Sequence, residues 1–148
     1  MTTDLVGCMA CDANAGRLTA PGGVIYEDDL WRVEHALSPV LLCGWLIVKP
    51  RRHVEHLADL TLDEAAALGP LVQRLCGALQ RALAAQRVYV CSFGELVNHV
   101  HFYVLPRYAD MPRDGLEVLR LMFGAEAPFA CGDDAAAAAA EKVRAALS

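Results

Sequence analysis

The sequence predicts an α+β fold in which a five-stranded antiparallel sheet carries one long helix, with further helices at the C-terminus. Three observations lead there. Five short β-type runs lie between residues 23 and 107, each with the length and apolar content of a strand. One stretch, 61–83, keeps helical periodicity throughout. Past Arg107 the chain turns polar and then alanine-rich, with helix signals only. No internal repeat or linker divides the 148 residues, so residues 1–148 are expected to form one domain.

Taken in order, "CMACDANAGRLTAPGG" is polar and glycine-rich, which places Cys8 and Cys11 in a loop or knuckle within an N-terminal segment, 1–22. "GVIYED" (23–28) and "LWRVEHAL" (30–37) read as two strands of a hairpin around Asp28-Asp29. A third strand spans Gly44–Lys49 and stops at Pro50. Thr61 with Glu64 three residues on is a capping-box signature for the long helix. Leu68, Leu71, Val72, Leu75, Leu79 and Leu83 follow at helical spacing as its core stripe. Pro70 lies inside it and is expected to kink it. "VYVCSFGE" (88–95) and "HVHFYVLPR" (99–107) are the fourth and fifth strands, with Gly94 in their connection. Residues 108–148 form a C-terminal extension with a short helix at 116–123 and a second at about 134–147. The second starts at Asp133-Asp134, runs through six alanines and ends with Lys142 and Arg144, in the sense the helix dipole favours.

Net charge is -5, which gives no global electrostatic case for nucleic-acid binding. The one compact basic cluster, Lys49, Arg51 and Arg52 followed by His53, suits a single anionic ligand or an ordinary solvated loop. No apolar run approaches the ~18 residues needed to span a bilayer. "MTTDLVGCMA" has neither the basic nor the apolar region of a signal peptide. A cytoplasmic protein with reduced cysteines is expected. Cys43, Cys76 and Cys91 lie in apolar segments and read as small core hydrophobes.

Cys8 and Cys11 form a C-x-x-C pair, compatible with half of a zinc site, a redox pair or neither. A redox pair ordinarily opens a helix after a strand, whereas this one precedes all the predicted elements. Zinc needs two further ligands, and among the five histidines His53 and His99 are placed to meet the N-terminal loop. In the fifth strand, alternation puts His99, His101, Tyr103 and Leu105 on one face and Val100, Phe102 and Val104 on the other. Two half-buried, hydrogen-bonded histidines are one reading. A nucleophilic imidazole is the sharper one, because neutral imidazole attacks phosphorus without prior deprotonation.

"PRRHVEHLADLT", followed about 40 residues later by "FGELVNHVHFYVLPR", resembles the histidine-triad (HIT) family. The family signature is His-φ-His-φ-His-φ-φ, with φ apolar, preceded by Gly-Gln-x-Val-x. The resemblance implies a five-stranded sheet, usually paired into a two-fold homodimer. It implies hydrolysis or transfer of a nucleoside monophosphoryl group through a nucleotidyl-histidine, here at His101. In the zinc-bearing branch the ligands carried over are Cys8, Cys11, His53 and His99, holding a structural Zn2+. The pattern departs from the family at three places. Tyr103 stands where the third histidine would be, Glu95 replaces the glutamine and Leu96 a frequent Ser or Thr. "HALSPVLLCGW" offers no clear acidic residue for ribose hydroxyls.

An ionised Glu95 about 4 Å from a phosphate would oppose binding by roughly 1 kcal/mol in water and about 4 in a partly buried site. Buried and protonated, it would instead donate a hydrogen bond or act as an acid. The expected catalytic residues are thus His101, Glu95 and Tyr103. The expected substrate contacts are Glu95, Tyr103 and Arg107, with Arg107 and the Lys49–Arg52 cluster able to offset the carboxylate. Two alternatives stand beside this reading: a scaffold reassigned to a non-nucleotide small molecule, and a catalytically weak zinc-bearing binding module.

Overall fold

A computed structural model describes residues 7–148; residues 1–6 of the expected N-terminal segment lie outside it. A short helix α1 (Met9–Asn14) precedes β1 (Val24–Glu27), β2 (Trp31–His35) and β3 (Leu46–Pro50). The long helix α2 (Leu62–Leu83) follows, then β4 (Arg87–Cys91), β5 (Phe102–Arg107), α3 (Gly115–Met122) and α4 (Asp133–Leu147). The five strands form one antiparallel sheet in the order β1-β2-β3-β5-β4.

Local signals account for most of these elements. The Asp28 carboxylate accepts the Leu30 and Trp31 N–H groups at 2.8 and 2.7 Å, which closes the β1–β2 turn. Thr61 and Glu64 make both halves of the capping box at the start of α2. Pro70 does not break α2, which is continuous across it. The carbonyl it deprives of a partner belongs to Ala66; both residues are exposed, so water can satisfy it.

The sheet is packed on both faces. On one, Trp31, Val33, Leu46, Val48 and Val104 meet Leu71, Leu75 and Leu79 of α2 and Ala140 and Val143 of α4. On the other, Trp45 and Leu105 meet Met111 and the α3 residues Val118 and Met122. Along β5, Phe102 and Val104 serve the first core while Tyr103 and Leu105 serve the second, as alternation demands. The alanine run is an ordered helix whose small residues allow close approach. A Cβ added at Gly22 (φ +78°) would lie 2.6 Å from Ala140 Cβ. Arg144 fastens α4 to the first strand by donating to the Val24 carbonyl at 2.9 Å and to that of Gly22.

Three boundaries differ from expectation. Cys8 and Cys11 do not sit in a loop: Cys8 caps α1 and Cys11 lies within it. β4 stops at Cys91, and β5 begins at Phe102, so His99 and His101 precede the strand. The reason lies in backbone pairing, since the Val100 N–H donates to the Val54 carbonyl at 2.7 Å and leaves the ladder. Cys43, Cys76 and Cys91 are half-buried and not core residues. Among the described residues, no helix is long and apolar enough to cross a membrane.

Candidate metal centre and nucleophile

Four side chains from three parts of the chain converge: Cys8 and Cys11 from α1, His53 from the turn after β3, and His99 from the approach to β5. Their ligand atoms all lie within 4.8 Å of one another. Cys11 Sγ is 3.3 Å from His53 Nδ1 and 3.6 Å from His99 Nδ1, and Cys8 Sγ is 3.6 Å from His99 Nδ1. Each imidazole is oriented through its other nitrogen. His99 Nε2–H donates to the Pro50 carbonyl at 3.0 Å, and His53 Nε2–H to the Glu55 carboxylate at 3.4 Å. In the neutral tautomer that makes these bonds, each ring presents its Nδ1 lone pair to the sulfurs. Burial pulls the pKa of His99 down from 6.5 to about 4, so the ring is an uncharged ligand at neutral pH. The Asn14 amide also donates to the Pro50 carbonyl at 3.0 Å and supports the same oxygen. This cluster could hold a metal ion.

His101 sits beside it with a different orientation. Its Nδ1–H donates to the His99 carbonyl at 2.7 Å, which assigns the remaining lone pair to Nε2. Ser92 Oγ donates to the His101 carbonyl at 2.7 Å and holds the backbone. The Tyr103 ring lies 5.3 Å from that of His101 and packs edge-on against Trp45 at 4.9 Å. Phe93 and Phe123 complete the cluster, 5.9 and 6.1 Å from Tyr103. Burial pushes the Tyr103 phenol above its ordinary value, so it stays protonated and able to donate. Trp45 Nε1 is buried without a hydrogen-bond partner.

The remaining sequence candidates are dispersed. Glu95 is exposed in the β4–β5 loop, so the burial required for a protonated donor is absent. Arg107 ends β5 at the end opposite His101, where its guanidinium donates to Gln86 Oε1 and the Tyr108 carbonyl at 3.4 and 3.3 Å. It does not join the His101 site. The basic cluster is consumed internally. Lys49 pairs with Glu34, Arg51 with Glu27 at 3.2 Å, and Arg52 with Glu64 at 2.8 Å. Burial, helped by the nearby Arg32 charge, pulls the Lys49 ammonium down, and its Glu34 partner opposes that shift.

Sequence reasoning missed Trp45, Phe93 and Phe123, which lie on a loop, a loop and a helix end. No spacing rule relates them to His101. Asn14 and Glu55 were missed as well, although a polar residue beside each ligand is the signal a search for outer partners would use.

Comparison with known proteins gives a consistent picture. Residues 17–110 match the HIT domain. A Zn-bound histidine triad family protein from Mycobacterium smegmatis superposes with a TM-score of 0.71 at 22% identity, over 95% of this chain and 93% of that one. A Hit-like protein from Bartonella henselae gives 0.72 at 20% identity, over 95% and 96%. A hypothetical histidine triad nucleotide-binding protein from Sulfolobus tokodaii gives 0.74 at 17% identity, over 95% and 91%.

Proposed function

The chain belongs to the HIT family, and from that premise we propose that it hydrolyses or transfers a nucleoside monophosphoryl group through a covalent intermediate on His101. The observation that carries the reading is the 2.7 Å hydrogen bond from His101 Nδ1–H to the His99 carbonyl. It leaves Nε2 as a lone-pair nucleophile held in one orientation. In the first step Nε2 forms a bond to phosphorus, and the leaving group departs with the electron pair of its own bond. In the second step water, or another acceptor, attacks the same phosphorus, and the N–P bond breaks to restore the imidazole. The Tyr103 ring lies 5.3 Å from that of His101, and its protonated phenol would supply a hydrogen bond to a phosphoryl oxygen or the leaving atom. Glu95, exposed in the β4–β5 loop, would disfavour an anionic substrate that approached it.

The metal in this reading is zinc. A tetrahedron with Zn–S of ~2.3 Å and Zn–N of ~2.0 Å has S···N edges of about 3.5 Å; the Cys11–His53, Cys11–His99 and Cys8–His99 edges are 3.3, 3.6 and 3.6 Å, and all four ligand atoms lie within 4.8 Å of one another. Cys8, Cys11, His53 and His99 would fill all four positions, which makes the role structural: the ion ties α1 to the segment that carries the nucleophile. Two copies would associate through β4, one of the two edge strands of the sheet, whose Val90 is 44% exposed. Cys43, Cys76, Cys91 and Cys131, none of them in a disulfide, suit a reducing cytoplasm.

The test is intact-protein mass spectrometry after mixing with nucleoside phosphoramidates, dinucleoside polyphosphates and nucleotide sugars. A nucleoside monophosphate adduct that maps to His101, with turnover lost in His101→Ala, is expected. Turnover that survives His101→Ala removes the covalent route. A second reading, a non-nucleotide substrate, is favoured by the Trp45, Tyr103 and Phe123 rings packed beside the nucleophile. Turnover of none of the three nucleotide classes by a metal-loaded protein would select it.

A further inference from the structure

Phe93 and Phe123 are 56% and 49% exposed, although aromatic rings bury more apolar surface than most side chains when they can. Both lie against Tyr103, at 5.9 and 6.1 Å, and Phe123 also stands edge-on to Trp45 at 5.7 Å. Tyr103 is in turn 5.3 Å from the ring of His101. Two exposed rings from separate parts of the chain, the β4–β5 loop and the end of α3, therefore meet one ring away from the proposed nucleophile. A single exposed apolar residue needs no explanation, whereas a cluster of them around polar groups marks a binding surface. Phe93 lies two residues past the end of β4, and Tyr103 stands on β5, one strand in from that edge, so the cluster is not part of the edge ladder.

Unpartnered polar groups lie among the same rings. Trp45 Nε1–H is buried without an acceptor among the described residues, a state folded proteins ordinarily avoid. The Tyr103 hydroxyl has no described hydrogen bond either. Free cations do not accompany these donors. Lys49, Arg51 and Arg52, which β3 and its turn bring to this end of the sheet, are each paired with a carboxylate. Arg107 lies at the other end of β5, and Glu95 is an exposed anion in the same loop as Phe93. Polyphosphate chains are ordinarily gripped by guanidinium and ammonium groups. Rings and neutral donors suit instead a planar apolar group beside a weakly charged one.

We infer that Trp45, Phe93 and Phe123 determine specificity at the His101 site by holding an aromatic group attached to the phosphorus centre of a singly charged substrate, a diester or phosphoramidate of an aromatic alcohol or amine. An oxygen or nitrogen of that substrate supplies the acceptor that Trp45 Nε1–H lacks, reached as Phe123 turns to face the incoming ring. The inference rests on the reading of His101 as the nucleophile and adds which substrate that nucleophile serves.

Binding is measured apart from turnover with two singly charged probes, the monomethyl esters of phenylphosphonate and methylphosphonate, by calorimetry on the metal-loaded protein. The phenyl probe is expected to bind at least about tenfold tighter, the difference a buried ring makes. Phe93→Ala and Phe123→Ala should each cut that ratio about threefold or more at wild-type Tm, and Phe93→Tyr and Phe123→Tyr should restore it. Of the two indole N–H signals in the NMR spectrum, that of Trp45 should shift with the phenyl probe, while that of Trp31, bonded to the Glu64 carbonyl at 3.1 Å, stays in place. His101→Ala should keep the ratio, so a failed adduct experiment removes the nucleophile and a failed ratio removes this inference. Equal binding of the two probes, a ratio indifferent to both alanine substitutions, a Trp45 signal that does not move, or displacement of the phenyl probe by equimolar inorganic pyrophosphate would overturn it. Self-association that vanishes in Phe123→Ala, without binding of the phenyl probe, would give the rings to a second copy and overturn it equally.

Discussion

His99 holds His101 in place: the carbonyl oxygen of His99 accepts the His101 Nδ1–H at 2.7 Å while the ring of His99 faces the sulfurs of Cys8 and Cys11 at 3.6 Å. One residue therefore joins the candidate metal centre to the proposed nucleophile through its own backbone. Anything that frees the ring of His99 loosens the acceptor that orients His101.

Cys11→Ser should consequently impair chemistry that Cys11 never touches. Metal content is expected to fall to near zero by elemental analysis, and kcat by about 10–100-fold, the usual cost of disturbing a ligand shell. A fully active, metal-free variant would separate the two sites.

Tyr103→Phe keeps the ring that packs 4.9 Å from Trp45 and removes only the hydroxyl. Its Tm should match wild type, while kcat falls about tenfold if the phenol donates in the transition state. Glu95→Gln should act in the opposite sense. Removing a repulsion of about 1 kcal/mol from an exposed position raises kcat/KM roughly fivefold. An unchanged kcat/KM with unchanged metal content would discard charge repulsion as the obstacle.

His35 sets a pH limit on stability. It donates from Nδ1 to the Ala36 carbonyl at 3.0 Å and accepts the Gly44 N–H on Nε2 at 2.8 Å, which closes the β2–β3 loop. Gly44 cannot be replaced there, since its φ is +86° and a Cβ would lie 2.6 Å from Tyr108 Oη. Burial lowers the pKa of His35 below 6.5, so in the window between its folded and unfolded values the unfolded chain binds the extra proton. Stability is then fully present above about pH 6.5 and declines as pH falls below it. Protonation also breaks the Gly44 bond, at a cost of roughly 1–3 kcal/mol. Urea unfolding between pH 7.5 and 5 should show this decline, and His35→Asn should reduce it, leaving the part that comes from the depressed pKa of His99. The carboxyls of Asp28 and Glu64, held below their ordinary values, add their own loss only at lower pH.

Ala84 ends α2 in the left-handed region at φ 57° and is exposed. Ala84→Gly relieves that strain and should stabilise the protein by about 1 kcal/mol, read as a higher urea midpoint at constant slope.

Much of this was legible in the sequence because it is written in neighbours. The capping box of Thr61 and Glu64, the leucine stripe of α2 and the alternation of Phe102, Tyr103, Val104 and Leu105 follow from backbone geometry over a few residues. The C-x-x-C pair and the two histidines were likewise visible as ligand types. What only the tertiary structure decided is which distant side chains share a space. Lys49, Arg51 and Arg52 looked free for a ligand until β2, β1 and α2 brought Glu34, Glu27 and Glu64 against them. Arg107 stands six residues from His101 in the chain, yet β5 puts it at the other end of the sheet. Trp45 and Phe123 reach Tyr103 through packing that no local pattern encodes. Local conformation depends on bonds a few atoms apart, whereas a partner is chosen by how whole elements come to rest on one another.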